Sequence, residues 1–393
     1  MSVYLDHQAT SPMPEPVKQA YLEAMNIAGN PSALHRGGRA ARALMEDARE
    51  RVATMVGAHP VEVVFTSGGT EAINTALKGS VWAHQRRHGA DVPTAIASTL
   101  AEHHATLDAI AWLRDQEATT WSEIAVDSEG VMDVESLEEV LEERKITVVS
   151  SLVANNEVGS LQPVKKIVEI SGAHGVPVHV DGVAALGYQS LDFRDLGVES
   201  MSLSAHKVGG PVGVGALVLS RYALDMQALH HGGNQQRSRS GTMDAAGAVA
   251  FAVALEVRAQ AREEGGSTLV ALRDRLREGL LHVAPQCVVR GSLQDRLPGN
   301  LHVTVPGCKG DVLLYLLDEH GVHASTGSAC QAGIPEPSHV LLAMGVPKDE
   351  AWGAIRLSVS YSTTQADIDR VIAIFADVVE RGTRAGLSKR TKV

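Results

Sequence analysis

The sequence predicts an α/β protein: a large unit on a mostly parallel sheet, followed by a smaller α+β unit. Three observations predict it. Apolar runs of about five residues alternate with helical patterns through the first two hundred or so positions, as a parallel sheet with crossover helices requires. The 393-residue length exceeds the roughly 250–300 residues at which one hydrophobic core stops growing. After Ser220 the texture changes to a Gly- and polar-rich stretch, then long helical patterns and short strands.

Taken in order, Val61–Thr66, Thr94–Ser98, Ile146–Val153, Val176–Asp181, Ser200–Ser204 and Val214–Ser220 read as strands. They are short and rich in Val, Leu and Ile, as strands buried on both faces are. Helical periodicity fits Arg39–Val56, where Ala43, Leu44, Ala48, Val52 and Met55 form one stripe, and Val164–Ala173. Another helix starts near Thr70, and Asp133–Glu143 opens on an acid-rich turn. His230–Thr242 reads as a long loop, and Ala245–Arg262 and Ser267–Leu281 as two long helices. Strands are expected at Cys287–Arg290, Asn300–Val305 and Ala354–Ser360, and helices at Asp311–Glu319 and Gln365–Arg381. The boundary between units is placed near residue 257, and no internal repeat is present.

Composition narrows the function. With 35 basic and 46 acidic residues the net charge is −11, which excludes a general binder of nucleic-acid backbones. The longest apolar stretch, Ala245–Val257, is too short to span a bilayer, and the first residues carry no secretory pattern. Three cysteines, Cys287, Cys308 and Cys330, point to reduced thiols in a cytoplasm. Small-molecule chemistry is expected.

Several residues can carry it. Thr66–Glu71 (TSGGTE) follows a strand and opens a helix, so glycines and free helix N–H groups would form a phosphate site; the same pattern also makes an ordinary N-cap. Asp181 ends an apolar strand, where open α/β sheets bind ligands. It either caps the next turn or faces a ring nitrogen that must stay protonated. Lys207, after Ser204 and His206, ends another strand. A phosphate cradle, an aspartate and a lysine at neighbouring strand ends are what pyridoxal phosphate needs from a protein. His103, beside Glu102 and His104, fits ring stacking and proton transfer better than a metal, because no second ligand cluster with zinc spacing exists. Cys330 lies in a small, polar loop, Ala324–Gly333, suited to a nucleophile, whereas Cys287 reads as core and Cys308 as a turn residue. Arg356 interrupts an apolar strand, either as a structural ion pair or as a grip on a substrate carboxylate.

Together these motifs resemble the class I cysteine desulfurases that serve nitrogenase and iron–sulfur cluster assembly. The resemblance runs over almost the whole chain: Tyr4–Pro12, Gly29–Ser32, Phe65–Glu71, Glu102-His103, Asn155–Gly159, His179–Asp181, Ser204–Lys207, Arg239–Thr242, Ser328–Cys330 and Ile355-Arg356. It implies a fold-type I pyridoxal-phosphate enzyme with a seven-stranded sheet, a large domain over residues 15–257, and a small domain of residues 1–14 and 258–393. It also implies a homodimer, L-cysteine as substrate and a sulfur-acceptor protein. Lys207 would bond the cofactor aldehyde and move protons; His103 would stack on its ring. Asp181 would pair with the pyridine nitrogen. Gly69, Thr70, Ser204 and His206 would bind phosphate, with Thr242 reaching the partner subunit's phosphate. Asn156 would lie beside cofactor and substrate, Arg356 would hold the cysteine carboxylate, and Cys330 would accept sulfur as a persulfide. Two departures stand out: Ala184 replaces the family's glutamine, a donor to the cofactor's phenolic oxygen, and Gln235 or Gln236 replaces a glutamate. A different pyridoxal-phosphate enzyme, an aminotransferase or C–S lyase, and a non-catalytic scaffold are the alternatives.

Overall fold

The computed structural model describes residues 2–221, 223, 226–233, 238–327 and 336–388. Its strands are β1 (Val3–Tyr4), β2 (Val63–Thr66), β3 (Ala95–Thr99), β4 (Thr120–Ile124), β5 (Val148–Leu152) and β6 (Val178–Asp181). They continue with β7 (Ser200–Ser204), β8 (Gly215–Leu219), β9 (Val288–Arg290), β10 (Asn300–Thr304), β11 (Val322–His323) and β12 (Ala354–Ser358). The helices are α1 (Glu15–Met25), α2 (Arg36–Met55), α3 (Gly69–His88), α4 (His104–Glu117), α5 (Val134–Glu143) and α6 (Val164–Ala173). Then come α7 (Phe193–Leu196), α8 (Ala245–Val283), α9 (Gly310–Glu319), α10 (His339–Ala343), α11 (Lys348–Ala351) and α12 (Gln365–Ser388).

Seven strands form the large sheet in the order β2-β8-β7-β6-β5-β3-β4, and only β8 runs against its neighbours. The expected α/β class and mostly parallel sheet are therefore present. In β5 to β8 every residue is buried, including the serines of β5 and β7, as in strands covered on both faces. The carboxyl ends of β2, β3, β5, β6 and β7 share one edge, with Asp181 in register with Leu152 and Ser202. The residues after these strands converge there, as ligand sites of open α/β sheets do.

The structure corrects three expectations. Strand β4 was invisible in the sequence, because this edge strand alternates exposed and buried positions and carries polar Thr120 and Glu123. Helix α2 buries Ala41, Met45, Ala48 and Val52, whereas Ala43 of the expected stripe is exposed. The helix is turned so that the Arg49 guanidinium reaches the Val63 carbonyl and lies 5.0 Å from the Phe65 ring centre.

The third correction concerns Ala245–Arg262 and Ser267–Leu281, which form one continuous helix of 39 residues. Gly265 and Gly266 each cost a helix roughly 1 kcal/mol relative to alanine. Packing on α1 and α2 at one end and on α12 at the other outweighs that cost. Residue 257 thus falls inside a helix, and no linker marks the expected boundary. A Cβ at Gly266 would meet nothing within 4 Å. Gly266→Ala is therefore expected to stabilise the protein by about 0.5–1 kcal/mol in denaturant unfolding; a lowered midpoint would contradict this account of the helix.

The C-terminal part carries the antiparallel sheet β12-β10-β9, while β1 pairs in parallel with β11. The chain's first residues are thus tied to its last third. One cluster of buried side chains runs from Phe65 through Phe251 and Leu276 of α8 to Phe375 of α12, so the two parts share a core. Among the described residues no helix is long and apolar enough to cross a membrane.

Candidate active site

A cavity of about 380 Å³ opens at the strand-end edge. Gly69, Thr70, His103, Asn156, Asp181, Ser204, His206, Lys207 and Arg356 all line it, so nine residues singled out in the sequence meet in one place. A larger cavity of about 520 Å³, at the opposite edge of the sheet between the end of α3 and Glu199, contains none of them.

Lys207 sits on a single turn, Ala205–Val208, directly after β7. Its Nζ donates to the carbonyls of Gln8 at 2.6 Å and Ala9 at 3.1 Å. Burial, reinforced by Arg356, lowers the amine's pKa to about 8, against the opposing pull of Asp181 and Asp6. Asp181 ends β6; its Oδ1 accepts from the Val183 N–H at 2.8 Å. Burial raises its pKa to about 6, while that N–H bond and Lys207 hold it down. A cation in the cavity would complete its ionisation.

His103 is the N-cap of α4 and its Nδ1 accepts from Ala105 N–H at 3.1 Å, which places the proton of the neutral ring on Nε2. Burial, then Lys207, His104 and His339, lowers its pKa to about 4, so the ring is neutral at physiological pH. Neighbouring Glu102, unassigned in the sequence, is buried; its Oε1 accepts from Leu152 N–H at 3.1 Å. Burial and Asp181 push its pKa well upward.

The glycine turn leaves the start of α3 open toward the cavity. Gly68, the N-cap of α3, has φ +151° and supplies no side-chain cap, leaving the first turn of a 20-residue helix to a ligand. A Cβ on Gly215 would lie 2.6 Å from Gly68 Cα, so β8 needs a glycine where it passes behind the turn. His206 Nδ1 pairs with Thr10 Oγ1 at 2.8 Å, and burial followed by Lys207 lowers its pKa to about 4.

Arg356 makes the structural ion pair that one of its sequence readings expects. It is buried in β12, pairs with Asp6 at 2.9 Å and donates to the Asn156 carbonyl at 2.8 Å, yet it also lines the cavity. Its Nε is buried without a partner, as is Asn156 Oδ1. Asn155 is consumed by bonds to Ala101 O and to the N–H groups of Glu157 and Val158, whereas Asn156 faces the cavity.

Cys330, Gln235 and Gln236 lie outside the described residues. The chain leading to Cys330 is anchored: Ser325 and Arg356 exchange backbone bonds at 3.2 and 2.6 Å, and Ser325 and Gly327 line the cavity. Beyond it, Ser338 donates to the buried Glu157 carboxylate and caps α10. Thr242 is exposed and does not reach the cavity. Sequence reasoning missed Gln8 and Ala9, because the contribution is a main-chain carbonyl that any residue offers. Ala184 lines the wall next to Val183.

A fold with seven mixed strands and a lysine, an aspartate and a glycine cradle at one strand-end edge defines a pyridoxal-phosphate enzyme of fold type I. Residues 3–371 match the family described as aminotransferase class-V, a pyridoxal-phosphate family, and the chain belongs to it. Its full-length relatives include the IscS-like cysteine desulfurase of Mycobacterium tuberculosis, 43% identical over 389 residues and covering 98% of each chain. A cysteine desulfurase of Cereibacter sphaeroides is 40% identical over 96% of both chains. Among solved structures a NifS-like protein superposes with a TM-score of 0.88 at 33% identity, covering 97% of this chain and 100% of its own.

The residues present fit that cofactor. The uncapped α3 terminus suits its phosphate. The buried Asp181 suits a protonated ring nitrogen, and the Lys207 amine, shifted toward neutrality, suits its aldehyde.

Proposed function

We propose that this chain removes sulfur from L-cysteine, releases L-alanine and retains the sulfur as a persulfide on Cys330 for an acceptor protein. The observation that supports it most is the meeting of Lys207, Asp181, the α3 terminus and Arg356 at one cavity that the Ser325–Gly327 stem of the Cys330 segment enters. Pyridoxal phosphate, when bound, supplies the electron sink that makes the substrate's Cα–H and then its Cβ–S bond breakable. Gly69, Thr70, Ser204 and His206 would hold its phosphate, Asp181 its ring nitrogen, and His103 one ring face.

The chain's own groups do the rest. Arg356 and Asn156, which both line the cavity, orient the substrate through its carboxylate and amino group. Lys207, once free as an amine, takes the Cα proton, and its carbonyl partners Gln8 and Ala9 keep it aimed. The Cys330 thiolate attacks the substrate sulfur: an S–S bond forms, the Cβ–S bond breaks, and its electron pair passes to the substrate carbon, which takes up a proton to become alanine. A second copy of the chain would bring Thr242 to the neighbouring site as a homodimer, and the setting would be cytoplasmic, in iron–sulfur cluster assembly or another sulfur-delivery pathway.

Incubating the cofactor-loaded protein with L-cysteine should release L-alanine; its absence would refute the proposal. The pH dependence of cofactor capture provides a separate check. Only the neutral amine attacks an aldehyde, so uptake by the apoprotein should rise about tenfold per pH unit below the Lys207 pKa of about 8 and level off above it. A rate still climbing toward pH 10 would show an amine of ordinary basicity.

A further inference from the structure

A second cavity, of about 250 Å³, lies behind the strap of residues 7–14, against Val257–Ala261 of α8 and the turn Ser360–Ser362. It shares no lining residue with the active site, although the strap separates the two: Gln8 and Ala9 face Lys207, whereas His7 and Ser11 face the second cavity.

Arg258 is its anomaly. The residue is only 8% exposed, and its Nη1 donates to Ser360 Oγ at 3.0 Å. Its guanidinium lies 5.4 Å from the centre of the Tyr361 ring. No lining residue is acidic, and among the described residues no carboxylate forms an ion pair with it. The titratable groups that act on it are the phenols of Tyr188 and Tyr361, with His7 also in range, and Tyr188 already donates to Val359 O. Burial lowers its pKa, as expected for an uncompensated cation. His7 and Tyr361, which also line it, each carry a buried polar atom without a partner, Nδ1 and Oη. A buried cation lacking its anion is strongly unfavourable, and a planar guanidinium beside the Ser360 and Tyr361 hydroxyls is a donor set that tetrahedral oxyanions take.

We propose that this cavity binds a small tetrahedral oxyanion, of the sulfate or phosphate type, held by Arg258 with Tyr361 and Ser360. The volume accommodates such an ion with several waters. His7 Nδ1 accepts the O–H of a protonated phosphate or takes up a proton under the anion's charge; its present pKa, lowered to about 4 by burial and Arg258, rises when the site fills.

The test uses the cofactor-loaded protein in chloride buffer, titrated separately with sodium sulfate and inorganic phosphate at matched ionic strength. Loading keeps the catalytic phosphate cradle occupied. The parent should show a saturable melting-temperature rise of about 2–4 °C with at least one of the two ions, the better ion naming the ligand type. Arg258→Met should lose that rise, retaining only the unsaturable stabilisation that excluded salts give any protein. In plain chloride it should melt at or above the parent's temperature, because it removes an unpaired buried charge. Tyr361→Phe, which preserves packing, should raise the half-saturating concentration by about three- to tenfold. Crystals soaked in selenate should show selenium beside Arg258. No saturable rise with either ion, an equal rise in Arg258→Met, or selenium only in the active-site cavity would overturn the proposal.

Discussion

Lys207→Ala should abolish alanine release from cysteine, with a loss of at least roughly 10³-fold. Lys207 is the buried amine of the cavity, held by two main-chain carbonyls and brought close to neutrality by burial and Arg356. In the proposed reaction, alanine removes both the group that bonds the aldehyde and the base that reaches Cα. The fold should survive, because the turn Ala205–Val208 is held by its backbone and the Lys207 side chain makes no bond within it. The proposed phosphate cradle of α3, Ser204 and His206 also remains, so the variant should still take up cofactor, which gel filtration in denaturant then strips away. In the parent, borohydride should fix the label on Lys207. Alanine release within tenfold of the parent would show that another amine does this work.

Cys330→Ala separates the proposed reaction from a lyase. Alanine formation should fall by at least about 10²-fold, while the borohydride label on Lys207 and cofactor binding stay unchanged. The reason lies in the order of bonds: the sulfur leaves the substrate only by forming a bond to the attacking thiolate, so without that thiolate the Cβ–S bond has no acceptor. The remaining cysteines cannot replace it. Cys287 and Cys308 are buried; burial raises the Cys287 pKa to about 11 and that of Cys308 in the same direction. Unchanged release of alanine or sulfide from Cys330→Ala would favour the lyase.

What was legible in the sequence follows from the physics of the sheet. Parallel strands buried on both faces announce themselves as apolar runs, and their carboxyl ends position Asp181, His103 and Lys207 without knowledge of the tertiary structure. The Gly68-Gly69 turn was equally visible, because a phosphate cradle needs glycine in sequence as well as in space. The hidden parts depend on contacts. Gln8 and Ala9 act through carbonyls, and Arg258 becomes unusual only when its lack of an acid is seen. Helix α8 runs through two glycines because α1, α2 and α12 flank it, which local propensity cannot report. Strand β4 escaped because an edge strand with one solvated face lacks the signature of its buried neighbours. Arg356 showed the right anomaly, a charge in an apolar strand, but only the structure shows that it pairs with Asp6 and still lines the cavity.

The most direct measurement is a single turnover of the cofactor-loaded protein with a limiting amount of L-cysteine, quenched in acid, with alanine and peptide masses read together. The account predicts one alanine for each Cys330-containing peptide that becomes heavier by one sulfur atom, the other two cysteine peptides remaining unchanged. Alanine formed while the Cys330 peptide keeps its original mass, or extra sulfur found on Cys287 or Cys308, would contradict it.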